Sequence, residues 1–304
     1  MAEALLIPAR FALYADLMAL FGLALFPLYA LRSRSPSRLA LRGIALGGAL
    51  AGLALSGLLT WLLVANMAGV SLASVDRASL DIVLFETAAG KAILWRAGLL
   101  AVLLAVSLWP DPFGRLRRLA VACLSAAALA TLAWGGHAAA QEGSGASLHL
   151  AADIVHVVAG ATWFGALIAF TVLLFGTEPA EAEAVAALHV ALARFSQVGT
   201  LLVTAILATG LVNSWALVGL DNVPALLTTT YGRVLLAKIG LFAAMLGLAA
   251  VNRFRLTPAL GRANGDAAPT LASLKRSLAL ETAAALAIVA LVAWLGTLSP
   301  IAEG

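Results

Sequence analysis

The chain has 304 residues, of which 62% are hydrophobic and only 11% charged, and its formal net charge is +4. Soluble domains contain about 45–50% apolar and about 25% charged residues, so this composition excludes an ordinary soluble protein. The positive charge does not indicate nucleic-acid binding, because the basic residues are concentrated in loops between apolar segments. The single cysteine, Cys123, excludes a disulfide framework and a paired-cysteine metal site.

Apolar segments of about twenty residues or more recur along the chain and predict an all-α polytopic membrane protein. In lipid only helices and closed barrels satisfy every backbone polar group, and long apolar runs without alternation indicate helices. The first run lacks the basic start and the A-x-A site of a signal peptide, so we expect a transmembrane helix there. A single membrane domain over residues 1–304 is predicted, with eight spans at 9–31, 40–66, 89–109, 116–138, 147–175, 188–218, 231–252 and 274–298.

The loops between the spans predict the orientation of the chain. Basic residues cluster in the first, third and seventh loops, which the positive-inside rule places in the cytoplasm, so both termini lie outside. The fifth loop is acidic, but acidic residues carry little weight in this rule. The second loop, residues 67–88, is predicted to contain a short amphipathic segment at the membrane surface. The basic residues are Arg32, Arg34, Arg38, Arg42, Arg115, Arg117, Arg118, Arg253, Arg255, Arg262, Lys275 and Arg276.

Ionisable side chains within the spans are the next candidates for function. Each costs about 2.5–3.5 kcal/mol to insert, so such groups usually face the bundle interior and mark a pathway. Snorkelling towards water is an equally good explanation for the basic members. For Glu281 we expect an ion pair with Lys275 or Arg276, whereas Asp16 lies roughly 10 Å into the first span and has no such partner in sequence. The full set is Asp16, Lys91, Arg96, Asp153, His156, Lys238 and Glu281.

The fifth span begins with "LHLAADIVHVV", which places His149, Asp153 and His156 on one helical face. His137, at the end of the fourth span, faces the same outer loop. Imidazole is the commonest protein ligand for metals and suits copper, zinc, iron and nickel, so this pattern favours a metal site over a purely structural polar seam. His149 and His156 are roughly 10 Å apart along the helix axis and cannot share one ion without bending it. The spacing therefore predicts two levels of metal binding.

Other residues give weaker or negative signals. The thioethers of Met18 and Met67 are donors of the type that select Cu(I), although core packing is the default role of methionine. His189, on the cytoplasmic side of the sixth span, is expected to be solvated or interfacial. The sequence contains no metalloprotease, P-loop or nucleophile-elbow motif, so we expect no enzymatic activity. Haem ligation by His137 and His156 is one alternative to a site for a single metal ion.

The run "LHLAADIVHVVAGATWFGALIAF" resembles the signature of the copper resistance protein D family. Further matching stretches are "FETAAGKAILWR", "GGHAA", "RFSQVGTLLVTAILATGLVNSW", "YGRVLLAKIGLFAAMLGLAAVNRFRLTP" and "LKRSLALETAAALAIVALVAWLGTLSP". The resemblance covers most of the chain and is most diagnostic over residues 131–300. It implies an eight-helix bacterial inner-membrane protein of copper homeostasis that carries copper from periplasm to cytoplasm. The usual partner in that family is the periplasmic copper-binding copper resistance protein C.

Combined with the resemblance, the residues predict a copper relay. His137 and His149 form an outer acceptor, and His156 with Asp153 and Met18 or Met67 forms a second level in the membrane, from which Cu(I) or Cu(II) is passed on by ligand exchange. Trp163 and Gly165 are assigned to packing. The cytoplasmic half offers no comparable series of ligands. This leaves two alternatives open, a haem- or quinone-binding redox protein and an oxidase-assembly or copper-delivery factor without transport.

Overall fold

The computed structural model describes residues 2–31, 41–109, 114–136, 145–177, 181–263 and 267–303. Within these ranges it is an all-α membrane protein with eight helices long and apolar enough to span a bilayer. They are α1 (Ala2–Tyr29), α2 (Leu41–Ala68), α3 (Ala88–Leu108), α4 (Gly114–Ala130), α5 (Ala146–Phe175), α6 (Ala182–Val218), α7 (Thr230–Val251) and α8 (Ala268–Leu295). All eight predicted spans are thus confirmed. We call the face where α1 begins the outer face and the opposite one the inner face.

The main differences from the predicted spans lie at helix beginnings. Helices α1, α6 and α8 start about two turns earlier than expected, because sequences such as "AEAVAA" favour helix without being apolar enough to count as membrane span. Two other helices continue beyond their last α-helical residue. Helix α4 is followed by a 3-10 turn, Thr131–Gly135, and α7 by a π-helical turn, Asn252–Leu256, and a short helix, Thr257–Gly261. The connection after α2 forms short helical turns where the surface segment is predicted.

That surface segment consists of a short helix, Arg77–Asp81, and a π-helical turn, Ile82–Glu86. The Asp76 carboxylate caps the helix by accepting a hydrogen bond from the Ser79 backbone N–H at 2.7 Å, and this bond lowers the pKa of the Asp76 carboxyl. Ile82 and Phe85 are 52% and 58% exposed, as expected for apolar side chains that lie on a membrane surface.

Helices α1 and α5 cross in direct backbone contact at the centre of the bundle. A Cβ atom added to Gly22 would lie 2.6 Å from the Cα of Gly165, and one added to Gly165 would collide with the backbone of Gly22. No residue but glycine fits at either position. The role expected for Gly165 is therefore confirmed, and the contact makes α5 the most buried span of the chain.

Two four-helix units, α1–α4 and α5–α8, share several features in the same order along the chain. Helices α3 and α7 begin with the same pattern, in which a threonine hydroxyl, Thr87 or Thr229, accepts a hydrogen bond from the glycine N–H three positions later. The two distances are 2.9 Å to Gly90 and 3.1 Å to Gly232. In both copies that glycine packs against the backbone of the preceding segment.

Further correspondences follow the same order along the chain. The sequence Phe-Gly occurs at the crossing point in α1 and in α5, and Ala-Trp occurs near the end of the fourth helix of each unit, at residues 133–134 and 293–294. Arg96 in α3 and Lys238 in α7 each lie nine positions after the capping threonine. Because each unit has four spans, α1 and α5 begin on the same face, and corresponding helices cross the membrane in the same direction.

The two units differ in one helix contact. In the first unit α2 packs closely against α3, whereas among the described residues α6 does not pack closely against α7 until the extension at Asn252–Gly261. Helix α7 is held chiefly by α8. The second unit is therefore open where the first is closed. We call this opening the α6–α7 cleft; α5 and α8 form its floor.

We expect Gly165→Ala to destabilise the protein by about 1–3 kcal/mol or more, because the added methyl group pushes two helix backbones apart. The thermal unfolding midpoint in detergent, followed by fluorescence-detected size exclusion, measures this loss. Gly47→Ala is the matched control, since nothing lies within 4 Å of its added Cβ. Equal midpoints for the two variants would contradict the central role of the crossing.

Candidate metal site

The outer half of the α6–α7 cleft contains His156, whose imidazole Nδ1 lies 3.0 Å from the Thr209 hydroxyl of α6. The Thr209 hydroxyl donates its proton to the Ala205 carbonyl at 2.6 Å, so it can only accept from the histidine. The proton of a neutral imidazole is therefore on Nδ1, and the lone pair of Nε2 is available to a metal ion. Metal-binding histidines usually have a partner of this kind on the second nitrogen.

Asp153 lies one turn towards the outer face from His156 and also interacts with α6. The Asn213 side-chain amide donates a hydrogen bond to its carboxylate at 3.4 Å, while the Asn213 carbonyl oxygen, Oδ1, is buried without a hydrogen-bond partner. Thr209 and Asn213 were missed by the sequence reasoning. The signal was present, since two polar residues four positions apart in an apolar helix share one face.

Lys238 of α7 completes this cluster from across the cleft. It is half-buried and lies within electrostatic range of both Asp153 and His156. The carboxylate of Asp153 offsets the charge of Lys238, which would otherwise oppose a metal ion at His156. We call His156, Asp153, Thr209, Asn213 and Lys238 the outer cluster.

The corresponding cation of the first unit also points inward. Arg96 is 5% exposed, and its Nε donates a hydrogen bond to Thr131 at 2.8 Å. The explanation by snorkelling is therefore wrong for Arg96, and it fits only the exposed Lys91. A buried hydroxyl on the neighbouring helix fixes the guanidinium in the first unit, whereas in the second unit a carboxylate stands opposite the cation.

The two candidate methionines are in different places. The Met18 methyl group lies 3.7 Å from the position that a Cβ on Gly160 would take, one turn inward from His156 on α5. Met67 is 64% exposed at the outer end of α2, a helix that does not pack closely against α5 among the described residues. The structure therefore brings Met18, and not Met67, against α5 one turn inward from His156.

The remaining predicted residues lie elsewhere. His149 is 3% exposed in the first turn of α5, and His137 lies outside the described residues. Asp16 packs against Gly48 and Gly52 of α2, on the side of α1 that faces away from α5. Across the described ranges, no group of three histidine, cysteine or acidic side chains is arranged to hold a metal ion.

Two residues on the inner side correct or refine the predictions. Glu281 is 2% exposed and accepts a hydrogen bond from Asn252 of α7, while Lys275 lies over the Phe175 ring. The predicted ion pair of Glu281 with Lys275 or Arg276 is therefore wrong, because the helix directs the carboxylate into the bundle and the cations to its surface. The His189 imidazole packs against Gly261 at the inner end of α6, an interfacial position.

Comparison with known proteins identifies relatives. Residues 1–148 match the family model of the copper resistance protein D-like N-terminal domain, and residues 189–295 match that of copper resistance protein D. The chain is 42% identical to copper resistance protein D of Pseudomonas syringae pv. tomato over 100% of this chain and 99% of that protein. It is 31% identical to inner membrane protein YebZ of Escherichia coli (strain K12), over 71% of this chain and 70% of that protein. No solved structure matches.

The charge balance within the outer cluster gives a testable expectation. Lys238→Met leaves Asp153 without its cation, and Asp153→Asn leaves Lys238 without its anion, so each should lower stability by up to about 3 kcal/mol. The double variant should recover part of that loss, because it leaves neither charge unbalanced. Unfolding midpoints in detergent measure this coupling, with the exposed Lys91→Met as control. Additive losses in the double variant would show that the two charges act separately.

Proposed function

We propose, from the premise that this chain belongs to the copper resistance protein D family, that it binds copper at its outer face and carries it towards the cytoplasm. The chain is a multi-pass membrane protein of a copper resistance family. The observation that carries the proposal is His156, a membrane-embedded imidazole whose hydrogen bond to Thr209 leaves Nε2 available to a metal ion. Copper is the cargo in this proposal, and no catalytic activity is assigned to the chain.

The outer level of the relay consists of His149 and His137. His149 is buried in the first turn of α5, close to the loop that carries His137. Two imidazoles at a helix end suit either oxidation state of copper. Met67, exposed at the outer end of α2, is available to an incoming donor protein and is assigned to the first contact with it.

The second level consists of His156 and Met18. The thioether of Met18 lies beside Gly160, one turn inward from His156, so an ion that leaves Nε2 of His156 meets a soft donor next. Asp153 is assigned to charge balance, since it accepts a hydrogen bond from Asn213 and faces Lys238. Each level then binds through few donors and can release its ion to the next by ligand exchange.

The proposal places the protein in a bacterial inner membrane, with the basic loops in the cytoplasm and both termini in the periplasm. The positive-inside rule supports the orientation, and the name of the Escherichia coli relative supports the membrane. All eight helices act as one domain, because α1 packs against α5 and α8 of the second unit. The donor of copper is a periplasmic copper-binding protein of the copper resistance C type.

Copper analysis tests the assignment of ligands. Purified protein loaded under reducing and under oxidising conditions should hold copper, and His156→Ala and His149→Ala should each lose more than half of it, because each removes a principal donor of one level. His189→Ala is the control, since that imidazole packs at the inner end of α6. Equal copper contents in wild type and in the two α5 variants, by mass spectrometry, would disprove the site.

Reporter fusions test the orientation. Alkaline phosphatase joined after residue 303 should be active, and a green fluorescent protein joined there should be dark, because we place that end in the periplasm. The same reporters inserted at residue 263, in the seventh loop, should give the reverse pattern. The opposite result at both sites would invert the proposed direction of copper movement.

A further inference from the structure

The inner half of the α6–α7 cleft contains a cavity of about 250 Å³. It lies between α5, α6, α7 and α8, on the same face of α5 as His156 but about two turns further inward. The corresponding space between α2 and α3 is closed in the first unit, where a Cβ on Gly52 would lie 3.0 Å from the Leu100 side chain. The cavity is thus present in the second four-helix unit, whereas the corresponding helices of the first unit pack closely.

The deep end of this cavity contains polar groups that the protein does not satisfy. The indole N–H of Trp163 and the side-chain oxygen of Asn252 are buried without hydrogen-bond partners, and the carboxyl group of Glu281 lies beside Asn252. Trp163, Asn252 and Glu281 are 3%, 8% and 2% exposed. Since unsatisfied buried polar groups are rare and costly, the Trp163 N–H and the Asn252 oxygen point to a ligand that brings both an acceptor and a donor.

The mouth of the cavity opens sideways between α6 and α7. Thr204, Ala250 and Phe254 line it and are exposed on the lipid-facing surface of the two helices. The inner end of the cleft is closed by Arg253 of the π-helical turn, which donates a hydrogen bond to Thr200 of α6. Short π-helical turns within longer helices are frequent at functional sites. A ligand therefore enters from the bilayer rather than from the cytoplasm.

The order of polar and apolar surfaces determines the class of ligand. A phospholipid keeps its polar head in the membrane interface and places only its tails in an apolar space. Here the unsatisfied polar groups are deep and the mouth faces the acyl chains, so the ligand must enter with its polar end first. The walls are aromatic, with Phe195 edge-on to Trp163 at 6.3 Å and to Phe170 at 5.5 Å between ring centroids. Such walls suit a planar head.

We propose that this cavity binds a quinone-type lipid, with its ring inside and its apolar tail in the bilayer. In the reduced, quinol form the oxygen of one ring hydroxyl accepts from the Trp163 N–H, and the other hydroxyl donates to the Asn252 oxygen. The volume is below the roughly 300–1,000 Å³ of drug-sized sites, which agrees with a single ring head whose tail stays outside. This site is separate from the copper levels and is assigned no redox step.

The test measures binding of decylubiquinol and of a short-chain menaquinol, both kept reduced, to the purified full chain, together with the quinone and phospholipid co-purified with it. We expect one of the two probes to bind. Trp163→Phe keeps the ring and removes the N–H, so it should weaken binding about three- to tenfold. Trp215→Phe, which alters an exposed tryptophan, is the matched control and should bind as wild type does.

A second variant keeps the proposal testable if Trp163→Phe proves unstable. Gly199 lines the cavity, and its added Cβ would make only an ordinary contact with Phe195 at 3.8 Å, so Gly199→Leu fills the space without moving the backbone. We expect Gly199→Leu to abolish quinone binding and to leave the copper content unchanged, while Gly247→Leu, on an open surface, changes neither. Binding of phospholipid alone, or probe binding unaffected by Gly199→Leu, would overturn the proposal. Loss of copper binding in His156→Ala remains a separate result.

Discussion

The contact between Gly22 and Gly165 fixes the depth of α1 relative to α5, the helix that carries His149 and His156. The backbones of the two helices touch at this point. The side chains of α1 and α5 on either side of the crossing therefore meet in a fixed order. Met18 lies one turn outward from Gly22 and therefore meets α5 beside Gly160, just inward from His156. A larger residue at the crossing would separate α1 from α5 and move the Met18 thioether away from the His156 imidazole.

The two four-helix units differ in that the ionisable members of the outer cluster, His156, Asp153 and Lys238, all lie in the second unit. When Gly22 is placed opposite Gly165, the residue corresponding to His156 is Leu13, which is 1% exposed and packed in the apolar core. The first unit is closed at α2 and α3 and anchors its buried cation, Arg96, to a hydroxyl. The second unit carries ionisable groups at the corresponding depth, and α6 and α7 do not pack closely against each other beside them.

The sequence predicted the eight spans and the row on α5, because hydropathy and helical periodicity are local properties of the chain. It did not predict which neighbours that row meets, since Thr209, Asn213 and Lys238 come from two other helices and are brought to α5 by packing alone. Glu281 shows the same limit. Its charged neighbours in sequence predicted an ion pair, whereas its partner in space is Asn252 of α7. The sequence did not distinguish Met18 from Met67 as a donor. The crossing at Gly22 places only Met18 near His156.

The outer cluster and the inner cavity occupy one cleft but are separated by an aromatic layer. Trp163 of α5 and Phe242 of α7 have ring centroids 6.5 Å apart, and both lie inward from His156 along the cleft. An ion that moves inward from His156 therefore either passes these rings or leaves the cleft towards Met18 on the α1 side. The route past the rings offers only apolar carbon, whereas the route towards α1 offers the thioether of Met18. Ligand exchange therefore favours the α1 side. In the proposed relay this arrangement keeps the metal ion away from the cavity, whose lining includes Trp163.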